Sequence, residues 1–175
     1  DAHQAGGPKP KALVIGAGYI GLEMAENFHH RGVDVSVVEL ADQILPPLDK
    51  DRSVPVERYL RGYGIELNLG TSVAAFQKGE GERIKAELAN HKVLDVDIVI
   101  LAIGVRPANQ LAEAAGLKLG ARGGVVVDTH MRTSDKRIFA VGDVVETPHT
   151  VLPGSYLAPL AGPANRQARI AAENI

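Results

Sequence analysis

Ala12-Leu-Val-Ile-Gly16-Ala-Gly18-Tyr-Ile-Gly21-Leu-Glu23, followed by Val35-Ser-Val-Val-Glu39, decides the fold. An apolar run of the kind buried in a parallel sheet enters G-x-G-x-x-G; a helical stretch and a second apolar strand ending in an acid follow. Gly16 permits the tight turn out of the strand, Gly18 leaves room for a pyrophosphate to approach the backbone, and Gly21 lets the helix pack closely on the strand. The helix N-terminus presents free N–H groups and a positive dipole end to phosphates. Glu39 lies where a carboxylate can accept both ribose hydroxyls of an adenosine. The order strand, turn, helix, strand, acid points to a dinucleotide; a glycine-rich turn of another α/β protein, or a nucleoside-type ligand such as S-adenosylmethionine, is the alternative.

Working outward, Lys11–Ile15 reads as the first strand and Tyr19 to about Arg31 as a helix, with Ile20, Met24 and Phe28 spaced for its inner face. Val33–Glu39 reads as the second strand. Asp49–Arg61 reads as a helix with Val56, Tyr59 and Leu60 inward; Pro55 either delays its start behind a Ser53 cap or kinks it. Ile65–Leu69 is a third strand. Ser72–Gln77, Arg83–Leu88 and Lys92–Val96 alternate as an antiparallel meander. Val96–Ile103 returns to the main sheet, and Gln110–Ala115 is a short helix stopped by Gly116. Beyond it, Gly123–Asp128 and Ile138–Asp143 read as strands, Thr147–Pro163 as a Pro/Gly-rich loop, and Ala164–Ile175 as a helix. The expected class is α/β: a Rossmann-like parallel sheet with helices on both faces and a three-stranded antiparallel meander.

Composition bounds the function. The 175 residues are 45% hydrophobic and 4% aromatic, as in an aliphatic α/β domain, and the formal net charge of −2 exerts no pull toward nucleic acid or an anionic membrane. No apolar run is long enough to span a bilayer. The stretch from Asp1 to Pro10 lacks the apolar core of a signal peptide and reads as a linker. There is no cysteine, hence neither disulfide nor thiol chemistry within the chain, and the six histidines lack metal-ligand spacing, so no metal is expected.

Gly16–Glu23 resembles the NAD-binding motif of the FAD-dependent pyridine-nucleotide disulfide oxidoreductases. Leu101-Ala-Ile-Gly-Val-Arg-Pro-Ala108 resembles the strand by which their chain leaves the NAD domain. Thr133-Ser-Asp-Lys-Arg-Ile-Phe-Ala-Val-Gly-Asp143 resembles their second FAD motif. Leu157–Arg169 is similar to the helix that meets the flavin in the coenzyme A-disulfide reductase and NADH oxidase/peroxidase branch. Pro55, and Ala168 where glycine is usual, depart from the pattern. The resemblance implies a linker over 1–10, an NAD(H)-binding domain over 11–120, and over 121–175 the C-terminal piece of a split FAD domain. It implies that the first FAD segment, its redox cysteine and a dimerisation domain lie elsewhere in a longer cytoplasmic, homodimeric enzyme.

The resemblance also implies roles. Tyr19 would gate the flavin, or be a staple at the helix start; Ile20 would line the NADH site; Glu23 would face the nicotinamide amide, or be a solvated helix acid. Gly104 would keep backbone clear of the dinucleotide, or simply end a strand. Gly142 and Asp143 would hold the FAD ribityl chain, or form an ordinary turn. Ala161 and Gly162 would offer N–H groups to the flavin. The implied chemistry is hydride transfer from NADH to FAD and on to a disulfide such as coenzyme A disulfide, with oxygen or peroxide as the alternative acceptor, and a non-catalytic NADH sensor as the alternative of another class.

Overall fold

The computed structural model describes residues 8–149, 151 and 153–175, so most of the expected linker and part of the Thr147–Pro163 loop lie outside the described residues. The chain folds as two compact units, one ending at Gly104 and the other beginning at Val105.

In the first unit β1 (Lys11–Ile15), α1 (Tyr19–His30), β2 (Asp34–Glu39), α2 (Lys50–Gly62) and β3 (Glu66–Leu69) alternate as the pattern predicts. The meander follows as β4 (Val73–Lys78), β5 (Ile84–Leu88) and β6 (Val93–Val96), and β7 (Ile98–Leu101) returns to pair with β1. The parallel sheet has the order β3-β2-β1-β7; the antiparallel one runs β4-β5-β6.

The apolar runs are continuous because both faces of the parallel sheet are covered, and alternate residues enter two different cores. Val14, Val35 and Val37 join Ala17, Ala25, Ile44, Leu60 and Leu67 under α1 and α2. Leu13 and Val38 join Ala86, Leu88, Leu94 and Val96 of the meander. The second face, expected to carry helices, is thus covered in this unit by the antiparallel sheet.

Two local expectations are corrected. On α1 Gly21 and Ala25 are the fully buried residues, and Leu22 and the expected Phe28 pack partly buried against the same core, but Ile20 is 54% exposed: at Gly21 the helix comes too close to the Gly16 carbonyl for a side chain, which turns the small residues inward and Ile20 out. Helix α2 starts at Lys50 and runs through Pro55. Ser53 is no cap, since it is buried and its hydroxyl donates to the Lys50 carbonyl; Tyr59 stays 58% exposed.

At the opposite end of the sheet from the glycine-rich turn, Lys92 Nζ donates to Glu66, Ser36 Oγ donates to Glu66 Oε2 at 2.6 Å, and Lys92 also reaches Asn68 Oδ1 at 2.8 Å. Burial lifts the Glu66 carboxyl, but the hydrogen bonds from Lys92, Ser36 and Asn68 and the Lys92 charge outweigh it and hold the group below the ordinary range. A carboxyl lowered by folding contributes stability that is present above its unfolded value of about 4.3 and is lost as pH falls through the lowered one. The melting-temperature advantage of the parent chain over Lys92→Met, measured at about pH 6, should therefore shrink progressively as pH falls below about 4. An advantage independent of pH would show that the pair contributes packing only.

The second unit contains α3 (Gln110–Ala114), β8 (Val125–Val126), β9 (Val145–Pro148), β10 (Ser155–Leu157) and α4 (Ala161–Asn174), with strand order β10-β9-β8. Val127, Met131, Val145 and Ala171 form its core. The expected strand Ile138–Asp143 is not one. Phe139 makes an isolated bridge to Arg132, Gly142 breaks the extended run at φ +83°, and Gly142–Val144 is a 3-10 turn from which β9 starts. Helix α4 begins at Ala161 rather than Ala164, because Pro163 falls in its first turn, where no N–H is needed.

Candidate functional site

The glycine-rich turn is built by contacts that only glycine allows. Gly16 sits at φ +101°, and a Cβ there would lie 2.3 Å from the Ala102 carbonyl oxygen at the end of β7. A Cβ at Gly21 would lie 1.9 Å from the Gly16 carbonyl oxygen. Gly18 differs: its backbone is ordinary, at φ −76° and ψ −174°, and nothing lies within 4 Å of where its Cβ would be. Steric demands inside the fold account for Gly16 and Gly21, whereas Gly18 faces open space.

Gly18 is also the N-cap of α1. It offers no side-chain cap, and the first helical bond runs from the Leu22 N–H to the Gly18 carbonyl at 3.0 Å. The N–H groups of Tyr19, Ile20 and Gly21 precede that bond and have no helical partner. Tyr19 and Ile20 are exposed, next to the open side of Gly18 and at a positive dipole end, the surroundings an anionic phosphate requires.

Glu39 closes the turn from the side. Its Oε2 accepts the Ala17 N–H at 2.7 Å and its Oε1 accepts the Ala41 N–H at 2.9 Å. The Gly16 N–H donates to the Val38 carbonyl and the Leu45 N–H to the Ala17 carbonyl, both at 2.8 Å. One carboxylate therefore joins the β1–α1 turn to the segment after β2. An ionised carboxylate has about four acceptor positions, so after these two bonds each oxygen keeps one for a hydroxyl. The residues present fit the adenosine and pyrophosphate of a dinucleotide.

Tyr19 and Glu23 face elsewhere on α1. They line a groove of about 210 Å³ between α1 and α2, together with Glu26, His29, Tyr59 and Tyr63. Tyr19 is half exposed, and the Glu23 carbonyl accepts Asn27 Nδ2. Gly104, at φ +102° with nothing near its Cβ position, ends the first unit.

In the second unit, Asp143 is exposed, and its carboxylate has no hydrogen bond or ion pair among the described residues. Ala161 and Gly162 open α4 behind the N-cap Leu160, again without a side-chain cap. A free carboxylate on a 3-10 turn and a free helix N-terminus match the donors and acceptors that the polyhydroxyl chain and ring edge of a flavin nucleotide need.

The Ala17 and Ala41 N–H groups and Gln167 were absent from the sequence-derived set. Gln167 Oε1 accepts the Gly142 N–H at 2.7 Å. Its signal was present in the helix period: Gln167 lies four residues from both Pro163 and Ala171, on the inward stripe of α4.

No described helix is long and apolar enough to cross a membrane. The profile of the pyridine nucleotide-disulphide oxidoreductases matches residues 2–160. The chain is 42% identical, over 94% of its length, to a protein named NADH oxidase from Methanocaldococcus jannaschii, of which it covers 36%. It is 34% identical, over 93% of its length, to a CoA-dependent NAD(P)H sulfur oxidoreductase of Pyrococcus furiosus, again covering 36% of that protein. The solved NAD-dependent persulfide reductase of A. fulgidus superimposes with a TM-score of 0.88 at 42% identity, covering 94% of this chain and 30% of that one. The reduced CoADR-RHD of Bacillus anthracis does so with a TM-score of 0.87 at 40% identity, covering 93% and 29%. The chain thus spans about a third of the length of the curated relatives it matches. With the glycine-rich turn, its acid, the returning strand and the Gly-Asp turn all in the expected order, the chain belongs to the pyridine nucleotide-disulphide oxidoreductase family.

Proposed function

We propose that this chain is the NADH-binding portion of a flavin-dependent oxidoreductase that passes hydride from NADH to FAD and on to a disulfide such as coenzyme A disulfide. The observation that carries the reading is the glycine-rich turn held by Glu39 beside an uncapped helix N-terminus. Gly16, Gly18, Gly21 and the N–H groups of Tyr19 and Ile20 bind the pyrophosphate, and Glu39 accepts the adenosine ribose hydroxyls. Tyr19 gates the nicotinamide end, Glu23 faces its amide, and Gly104 keeps the backbone clear. Residues 121–175 supply the closing segment of an FAD domain, with Gly142 and Asp143 for the ribityl chain and Ala161 and Gly162 for the ring edge. Bound flavin supplies the hydride-accepting and electron-splitting chemistry. The intact protein is read as a cytoplasmic homodimer.

An oxygen- or peroxide-reducing enzyme is the second reading, favoured by the 42% identity to a protein named NADH oxidase. A pure NADH sensor has no use for the Gly142–Asp143 turn and the α4 N-terminus.

The chain by itself should purify colourless and turn over no NADH, yet bind it. It has no cysteine and only the closing half of a flavin site. Visible spectra, an NADH-consumption assay with oxygen, peroxide or coenzyme A disulfide, and a fluorescence titration with NADH check this. Stoichiometric flavin, or steady turnover without added flavin, would overturn the reading of 121–175 as half a site. Absence of NADH binding would overturn the reading of the turn.

A further inference from the structure

Gln167 is a buried amide in the middle of α4, whose neighbours Arg166, Ala168 and Arg169 are exposed. A buried polar group persists where it makes a hydrogen bond that the fold needs. Its Oε1 accepts the N–H of Gly142, 25 residues away in sequence, at 2.7 Å. Gly142 stands at φ +83° and opens the 3-10 turn that carries Asp143. Gln167 itself stands less than two helical turns after Ala161, so one side chain links the turn bearing the free carboxylate to the helix bearing the free N–H groups.

The surrounding apolar contacts cannot do this alone. Ala140, Val144, Ile170 and Ala171 pack together in the core of this unit and hold helix and turn in contact. Apolar packing is non-directional. A hydrogen bond to a backbone amide fixes the plane of that peptide, and here the next residue is Asp143. Gly142 has unusual freedom about its own backbone, so the turn needs an anchor on each side: Gln167 fixes the peptide before Gly142, the Val145 N–H bonds the Gly142 carbonyl, and Asp143 is held between the two.

We propose that Gln167 is a positioning residue for FAD: it sets the Asp143 carboxylate at a fixed place relative to the Ala161–Gly162 helix start, so that both ends of one polyhydroxyl, ring-bearing ligand meet their partners together. The proposal rests on the FAD reading given above. It requires an acceptor at 167 and not merely a residue of that size.

Three variants separate these cases in the longer enzyme that contains this segment: Gln167→Leu keeps the bulk without an acceptor, Gln167→Glu keeps the acceptor, and Asp143→Ala removes the carboxylate. FAD affinity is read by titrating apoprotein, the bound flavin by its visible spectrum, and NADH affinity serves as the internal control. Gln167→Leu should raise the FAD Kd about tenfold or more, as expected for loss of one hydrogen bond to a ligand-bearing turn, and should shift the flavin bands. Gln167→Glu should stay within about threefold of the parent, and NADH binding should move less than about twofold in either. In the chain itself, amide exchange at Gly142 reads the bond directly, with protection lost in Gln167→Leu and kept in Gln167→Glu. Should Gln167→Leu fail to fold, Gln167→Asn, whose shorter side chain cannot span the distance, takes its place.

A Gln167→Leu enzyme that melts lower but binds FAD with parental affinity and spectrum would overturn the proposal, leaving Gln167 a stabilising residue. An unprotected Gly142 amide in the parent would overturn it too. If Asp143→Ala binds FAD normally, the FAD reading itself falls; if Asp143→Ala weakens FAD and Gln167→Leu does not, only the proposal falls.

Discussion

Gly21→Ala is expected to unfold the first unit far below the parent's midpoint, while Gly18→Ala, three residues earlier, should melt like the parent and lose NADH. The two glycines share a motif but meet opposite surroundings. A methyl at Gly21 would stand 1.9 Å from the Gly16 carbonyl oxygen, a backbone atom of a turn that is itself packed against the Ala102 carbonyl. Neither partner is a flexible side chain, so α1 must lift from the sheet and open the core around Ala17 and Ala25. Overpacking of this kind costs about 3 kcal/mol, which in a unit of this size lowers the midpoint by roughly 10–25 °C. A methyl at Gly18 meets nothing within 4 Å on a backbone that alanine adopts freely. It instead occupies the approach of the pyrophosphate, and the NADH Kd should rise at least about tenfold. Thermal melts by circular dichroism and NADH fluorescence titrations of both variants decide the matter. Parental NADH binding by Gly18→Ala would mean that the open side of the turn is not where the dinucleotide lies, and an unchanged melt of Gly21→Ala would mean that α1 does not sit this close to the turn.

The parent chain should bind NADH more tightly than NADPH, and Glu39→Arg should narrow or reverse that preference while weakening both. Glu39 has acceptor capacity left for two ribose hydroxyls, and hydrogen bonds to a charged group are worth about 1.5–3 kcal/mol each. A 2′-phosphate would meet this carboxylate as a like charge, and Leu40, Ala41, Asp42 and Gln43 offer it no cation. Arginine supplies one. It cannot, however, accept the N–H groups of Ala17 and Ala41 that Glu39 now holds. Ala17 is buried, so its amide is left without a partner, at about 1–3 kcal/mol. Glu39→Gln, which retains an acceptor oxygen, should fall between the two for NADH. Isothermal titration with both nucleotides gives the ratios. Equal affinities in the parent, or undiminished NADH binding in Glu39→Arg, would remove Glu39 from the site.

The fold was legible where one residue type carries one physical demand. The apolar runs of β1 and β2, the glycines between them and the acid at the end of β2 each follow from local chemistry, and the alternation over residues 72–96 announced the meander. Identity alone misled where proximity decides. Ile20, Met24 and Phe28 have helical spacing, and Phe28 does pack against the core, but α1 lies so near the turn that Gly21 and Ala25 are its fully buried residues and Ile20 is exposed. Pro163 reads as a boundary, yet a first helical turn accepts it. Gly142 reads as a strand end, although its positive φ has already broken the strand and moved the pairing on to Val145. The two amides that Glu39 holds could not be read from sequence at all, because Ala17 is brought to it across 22 residues by the fold. Gln167 was legible in principle, as an amide on an otherwise inward stripe.

The strand order carries a consequence for how the chain is made. Among the strands of its sheet β1 is made before the other three, yet it lies between β2 and β7, and its far side pairs with Ile98–Leu101. The amide of Lys11 reaches the side chain of Asp97 over a separation of 86 residues. At synthesis rates of about 5–20 residues per second, that flank of β1 waits roughly 4–17 s for its neighbour. During this interval the open edge is a strand whose Ala12, Leu13 and Val14 end fully buried, the kind of template on which nascent chains aggregate. The meander shortens the exposure in space if not in time: once β4, β5 and β6 have formed locally, β7 is delivered by a compact module and not by a free loop, and the entropy of closing the ring falls accordingly.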